Sequence, residues 1–232
     1  FCGVERCRRS RQSSSSAASD GYKGQKHLFE SVDASLKRLG TDYLDLFFCH
    51  REDPEVPLDE TLRALEDLVR MGKILYWGTS CWGGATLLKA HGITRLRGWT
   101  PPIVEQPMYN LLDRGIEKRI VPIAKRTGMG LVVWSPLAGG ALTGKYDDGI
   151  PEGSRAATSQ WLDRILTLEN AEKLRSFTAL AGEVGCTPAQ LALRWTMDQP
   201  GITSVITGAT RLDQLEDNLG ALALKLDAEV LG

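Results

Sequence analysis

Tyr43-Leu-Asp-Leu-Phe-Phe-Cys49, followed at once by His50-Arg51, is the stretch that decides the fold. A short, mainly apolar run that ends abruptly on polar residues reads as a strand buried on both faces. Its neighbours on either side read as helices. Upstream, His27 to Leu39 carries Leu28, Val32, Leu36 and Leu39 along one helical face, with Gly40 as a stop. Downstream, Leu58, Leu62, Leu65 and Val69 mark a second amphipathic helix ended by Gly72, and Ile74-Leu-Tyr-Trp77 follows as a strand. The cadence continues with a strand at Ile103-Val-Glu-Gln106, a helix over 115–126, a strand at Gly130-Leu-Val-Val-Trp134 and a long loop. Helices near 169–184 and 188–198, a strand at Ser204-Val-Ile206 and a closing helix from about Arg211 complete it. Short strands alternating with helices indicate right-handed βαβ units and a parallel sheet, so the expected class is α/β with five strands.

The chain has 232 residues, 42% hydrophobic and 25% charged, as in ordinary globular proteins. A closed (β/α)8 barrel typically takes about 250 residues, so that fold would be tight here. A net charge of −1 and scattered aromatics speak against nucleic acid as a partner. No apolar run approaches the roughly 20 residues of a membrane span, so no membrane insertion is expected. Five scattered cysteines, Cys2, Cys7, Cys49, Cys81 and Cys186, suggest reduced thiols and a cytoplasmic setting. With no histidine near Cys2 and Cys7, no metal site is expected. Residues 1–24 carry five basic and two acidic side chains, a serine run at 13–16 and no apolar periodicity. They read as a disordered or unrelated tail ahead of a domain over 25–232, with an organellar transit-peptide remnant as the alternative.

Polar and small residues collect at the C-terminal ends of the strands, where parallel α/β folds bind ligands. They are His50-Arg51, Gly78-Thr-Ser80, Gln106, Ser135-Pro136 and Gly208-Ala-Thr210. His50 reads either as a packed, hydrogen-bonded residue or as a donor that polarises a substrate carbonyl. Thr210 fits a helix N-cap, with Asp213 completing a capping box. A helix start directly after a strand also favours a phosphate, with Gln214, Asp217 and Asn218 on its first turns. Trp134 is core or a stacking platform. The loop from Gly139-Gly140 to Ser154-Arg155 holds two cations, Lys145 and Arg155, and reads as functional or as a solvated connection.

Together, Asp42-Tyr-Leu-Asp-Leu-Phe-Phe-Cys-His50, Tyr76-Trp-Gly-Thr-Ser80, Val104-Glu-Gln-Pro107 and Trp134-Ser-Pro-Leu-Ala138 resemble the aldo-keto reductases. Gly144-Lys-Tyr146 and Gly208-Ala-Thr210 with Gln214, Asp217 and Asn218 extend the resemblance, in the branch of the voltage-gated potassium channel β-subunits. The resemblance implies a (β/α)8 TIM barrel of the aldo-keto reductase type that binds NADP(H) and reduces a small aldehyde or ketone by hydride transfer. By it, His50 orients the carbonyl, Ser80 and Gln106 bind the carboxamide, and Trp134 stacks on the nicotinamide. Ser135, Pro136, Leu137, Lys145 and Arg155 cover the pyrophosphate. Gly208, Thr210, Gln214, Asp217 and Asn218 form the adenosine and 2′-phosphate site, and Gln214 stands where many members have Arg.

The resemblance aligns the five expected strands with the family's fourth to eighth. The family's catalytic Asp, Tyr and Lys belong to its first three β/α units, so the chain, which does not begin with Met, reads as N-terminally truncated. Asp20, Tyr22 and Lys23 lack the strands those roles require. The expectation is an oxidoreductase of impaired activity, with a homo-oligomer left open. The alternatives are a non-catalytic nucleotide-binding module, such as a relative of the channel β-subunits, and a flavodoxin-like open sheet.

Overall fold

The computed structural model describes residues 4–6 (by their backbone), 24–158 and 160–227. The chain divides into two compact units, Phe1–Gln106 with Arg119–Gly130 and Pro107–Lys118 with Leu131–Gly232.

Among the described residues, the first unit holds four strands, β1 (Val4–Arg6), β2 (Leu44–Cys49), β3 (Ile74–Thr79) and β4 (Val104–Glu105). They lie side by side in chain order and all adjacent pairs are parallel. Cys49 pairs with Thr79 and Thr79 with Glu105, so three strand ends stop level with one another. Helices α1 (Gln25–Leu39), α2 (Leu58–Arg70) and α3 (Gly84–Arg97) follow the strand-helix alternation. Phe47, Phe48, Leu62, Leu65, Ile74 and Trp77 form the centre of its core, each at most 1% exposed. The Trp77 indole N–H is satisfied by the Thr100 carbonyl at 3.0 Å, which lets a large polar-tipped ring sit inside.

Four expectations are corrected here. β1 makes a sixth strand, because Val4-Glu5-Arg6 pairs through its backbone with Leu46-Phe47-Phe48, and a three-residue stretch with two charges carries no apolar signal. The rest of the expected tail up to Lys23, including Cys2, Cys7, Asp20 and Tyr22, lies outside the described residues. Helix α3 has no counterpart in the sequence reading. Its buried face is only Leu87, Ala90 and Thr94, and Gly84, Gly92 and β-branched residues blur its periodicity. In α1 the buried face is Leu28, Val32 and Ser35, with Leu39 at 48% exposed; the Ser35 hydroxyl is satisfied by the Ser31 carbonyl at 2.8 Å. The single helix expected over 115–126 is two, α4 (Ile116–Arg119) and α5 (Val121–Thr127). Pro122 sits in the first turn of α5, where its missing N–H does no harm but an uninterrupted helix is impossible.

The second unit holds β5 (Gly130–Trp134) and β6 (Ser204–Ile206), parallel and in register at Trp134 and Ile206. The long connection after β5 is built, not loose. A 3-10 turn at Ala138–Thr143, helix α6 (Arg155–Thr158) and a 3-10 turn at Gln160–Arg164 pack Ala138, Leu142, Tyr146 and Leu162 against Leu174 and Ala192. Those last two belong to α7 (Leu168–Val184) and α8 (Pro188–Asp198). Helix α8 starts with a capping box: the Thr187 hydroxyl accepts from Gln190 N, and the Gln190 carbonyl oxygen from Thr187 N. Helix α9 (Leu212–Gly220) closes the unit.

Candidate functional site

In the first unit the informative feature is the turn after β3. Thr79 and Ser80 are buried, Cys81 has φ +58°, and Trp82 returns to the core. The Ser80 hydroxyl donates to the Gln106 carbonyl at 2.9 Å, and the Trp82 indole to the Cys49 carbonyl at 3.2 Å. Glu105 lies beneath the turn with no exposure. Its carboxylate accepts from the Thr79 hydroxyl and, at 3.2 Å, from Trp82 N. Burial pushes this carboxyl up to about 7, against the lowering pull of those hydrogen bonds and of Arg51. Among the described residues the Gln106 side-chain oxygen, also buried, has no hydrogen-bond partner. An orphaned buried acceptor costs roughly 1–3 kcal/mol, so it marks a place where a donor is expected. His50, half-buried, stands one residue beyond the Cys49–Thr79 pair.

In the second unit, Trp134 is held at both ends of its backbone: Trp134 N donates to Pro107 O at 3.0 Å and Tyr109 N to Trp134 O at 3.2 Å. The chain then enters a strained turn, with Ser135 at φ +60° and Ala138 at φ +48°. The Asn110 amide donates to Ser135 O at 3.0 Å and fixes it. Among the described residues, Cys81, Ser135 and Ala138 are the non-glycine residues with positive φ. All follow the end of a strand, where stored strain accompanies function.

Lys145 and Arg155 are exposed and lie against aromatic faces, Lys145 Nζ 4.8 Å from the Tyr146 ring centre and the Arg155 guanidinium carbon 5.6 Å from that of Trp161. Gly139 (φ +69°) and Gly140 (φ +101°) make room for them. A side chain at Gly139 would strike the Trp161 ring at 2.4 Å, and one at Gly140 the Lys145 ammonium at 2.6 Å.

The start of α9 differs from expectation. Arg211, not Thr210, is its N-cap, and no side chain caps it. Thr210 instead donates from its N (3.0 Å) and its hydroxyl (3.2 Å) to the Gln214 side-chain oxygen, and Asp213 pairs with Arg211. The turn closes one residue later because Gln214 is long enough to reach back over Arg211. Asp217 accepts from the Thr187 hydroxyl at 3.0 Å and from the Gln190 amide at 3.0 Å, tying α9 to the α8 cap. Asn218 is buried and lines a mainly apolar cavity of about 410 Å³ with Leu193, Met197, Thr203, Leu215 and Leu219. A side chain at Gly208 would meet open space.

The residues expected at the site therefore fall in both units: His50, Ser80 and Gln106 in the first, and the remainder, from Trp134 to Asn218, in the second. Ser80 and Gln106 are joined directly, as are Thr210 and Gln214. Glu105 escaped the sequence reading although it was visible as a lone carboxylate in an apolar strand. The strain at Cys81 and Ala138 left no residue-type signal.

Parallel β/α units with strained, polar strand-end turns define an α/β protein of the kind that binds ligands at that rim. The chain belongs to the aldo/keto reductase family, whose model matches residues 13–232. A Schizosaccharomyces pombe protein, whose name places it among voltage-gated potassium channel β-subunits, is 42% identical over 89% of this chain. Relatives from Arabidopsis thaliana and Oryza sativa subsp. japonica, each named "Probable voltage-gated potassium channel subunit beta", are 42% and 41% identical over 85% of it. The chain spans 62% of the length of each of these relatives. The fold is accordingly α/β of the aldo/keto reductase barrel type, with parallel strands. Among the described residues no helix is long and apolar enough to cross a membrane.

Proposed function

We propose that this chain binds NADP(H) and takes part in reducing small aldehydes or ketones. The observation that carries the reading is the buried, unpartnered side-chain oxygen of Gln106 beside Ser80. It fits a primary carboxamide, whose NH2 supplies the donor this oxygen lacks. The cofactor, when bound, supplies the hydride. Ser80 and Gln106 hold the carboxamide and fix which ring face is presented, and Trp134 offers a flat apolar surface. Lys145 and Arg155, parked against rings and in no ion pair among the described residues, supply positive charge for phosphates. Thr210, Gln214 and Asn218 take the adenosine end; Asp217 joins them through its tie to the α8 cap. His50 donates to the substrate carbonyl and orients it. The free thiols Cys81 and Cys186 suit a cytoplasmic setting.

The relatives' names favour a second reading, a nucleotide-binding subunit that works in complex with a channel. Both readings are tested together by titrating the chain with NADPH through its fluorescence, then adding an aromatic aldehyde. Binding with turnover supports the reductase, and binding without turnover supports the subunit. Absence of NADPH binding at millimolar concentration overturns both.

A further inference from the structure

We infer that Glu105 is a positioning residue of the nicotinamide pocket, and that its charge state sets the pocket's preference between oxidised and reduced cofactor. The inference rests on the NADP(H) reading above and deepens it. Geometrically, Glu105 is the keystone of the β3 turn. One carboxylate oxygen receives the Thr79 hydroxyl before the turn, and the other receives Trp82 N after it. Between these anchors lie Ser80, bonded to Gln106, and Cys81 in its left-handed conformation. A left-handed non-glycine residue persists only where its surroundings over-determine it, and here Glu105 supplies two of the restraints. Gln106 adjoins Glu105 in the chain, so the groups proposed to hold the carboxamide are fixed from both sides by one carboxylate.

The second half follows from charge. Oxidised nicotinamide is cationic and the reduced ring is neutral. A buried carboxylate under their shared pocket favours the cation when ionised and loses that preference when protonated. Among the described residues, Arg51, which follows β2, lowers the carboxyl's proton affinity, while Glu52, in the same segment, lies by Gly83. Cys81, beyond β3, reaches the carboxylate through its backbone N–H, and His50 precedes Arg51 in the chain. Burial outweighs Arg51 and leaves the carboxyl titrating near neutrality, so the switch lies in an accessible pH range.

The test measures dissociation constants of NADP+ and NADPH for the full chain between pH 5.5 and 8.5, beside the Glu105→Gln variant. The ratio Kd(NADP+)/Kd(NADPH) is expected to fall roughly tenfold as pH rises through about 7, and to stay flat in Glu105→Gln, which keeps the side-chain shape. Titrating the carboxyl itself by infrared difference spectroscopy, with and without NADP+, needs no variant. NADP+ should lower its midpoint. Binding of both nucleotides with a ratio independent of pH, or a midpoint NADP+ does not move, overturns the role of Glu105 and leaves the NADP(H) reading standing. Failure of both nucleotides to bind at any pH overturns that reading and this inference together.

Discussion

At the scale of single residues, the site is marked by groups that are worse off in the free chain than they need be. Gln106 buries an acceptor without a donor among the described residues, and Glu105 buries a carboxylate that burial drives up to about 7 against its hydrogen bonds and Arg51. Replacing Gln106 with Leu removes the orphan, so Gln106→Leu should raise the urea midpoint by about 1 kcal/mol of stability while weakening NADPH binding at least tenfold. Unchanged nucleotide affinity would refute the role given to its side chain. The sign for Glu105 runs the other way from most carboxylates. Its folded value lies above its ordinary 4.5, so the burial penalty is absent well below pH 4.5 and present in full above about 7. Stability attributable to this group falls across that window by up to about 3 kcal/mol. Native and Glu105→Gln chains compared by urea titration at pH 5 and pH 8 should differ more at pH 8, in favour of the variant. This comparison removes the contribution of His91, whose value burial lowers and whose effect on stability has the opposite slope.

At the scale of elements, two features of the second unit join structure to the proposed site. The α8 cap and Asp217 form one hydrogen-bonded clasp, with Thr187 accepting from Gln190 N while donating to Asp217. Truncating Thr187 to Ala should lower stability by about 1 kcal/mol. A double-mutant cycle with Asp217→Ala should show coupling on the order of 0.5–1 kcal/mol, and additivity would mean the clasp does not form in solution. The Gly139-Gly140 turn is the other feature. Gly140→Ala puts a methyl group into the Lys145 ammonium and strains a backbone at φ +101°, so it should displace Lys145 and weaken NADPH binding several-fold, with the loss shrinking at high salt as phosphate attraction is screened. The helices near 169–184 and 188–198 were legible in the sequence, and the structure starts each behind a threonine cap, Thr167 and Thr187. Helix α3 was not, since only Leu87, Ala90 and Thr94 of it are buried.

At the scale of the whole molecule, α9 and the turn after it carry a run of exposed leucines. Leu212, Leu215 and Leu219 on α9 and Leu222 in the turn just after it are 43–69% exposed, beside the cavity lined by Leu193 and Met197. An apolar stripe of this kind promotes dye binding and self-association. The chain should bind an anilinonaphthalene sulfonate dye, and a Leu215→Lys, Leu219→Lys double variant should lose most of that signal. Equal dye fluorescence in the two proteins would place the exposed apolar surface elsewhere. The amino-acid sequence alone determined the α/β class, the parallel order of its main strands, the ends of β2, β5 and β6, and the family. Those properties are written in local patterns, apolar runs, polar strand ends and motif spacing, which survive without knowledge of any contact. Tertiary structure decided the rest. Only packing shows that β1 pairs through its backbone, that Gln214 takes over the Thr210 amide, that Asp217 is tied to α8 and that Glu105 is buried beneath the Ser80 turn. Each of these depends on a partner distant in the chain or on the loss of solvent, and neither is encoded in residue type or spacing.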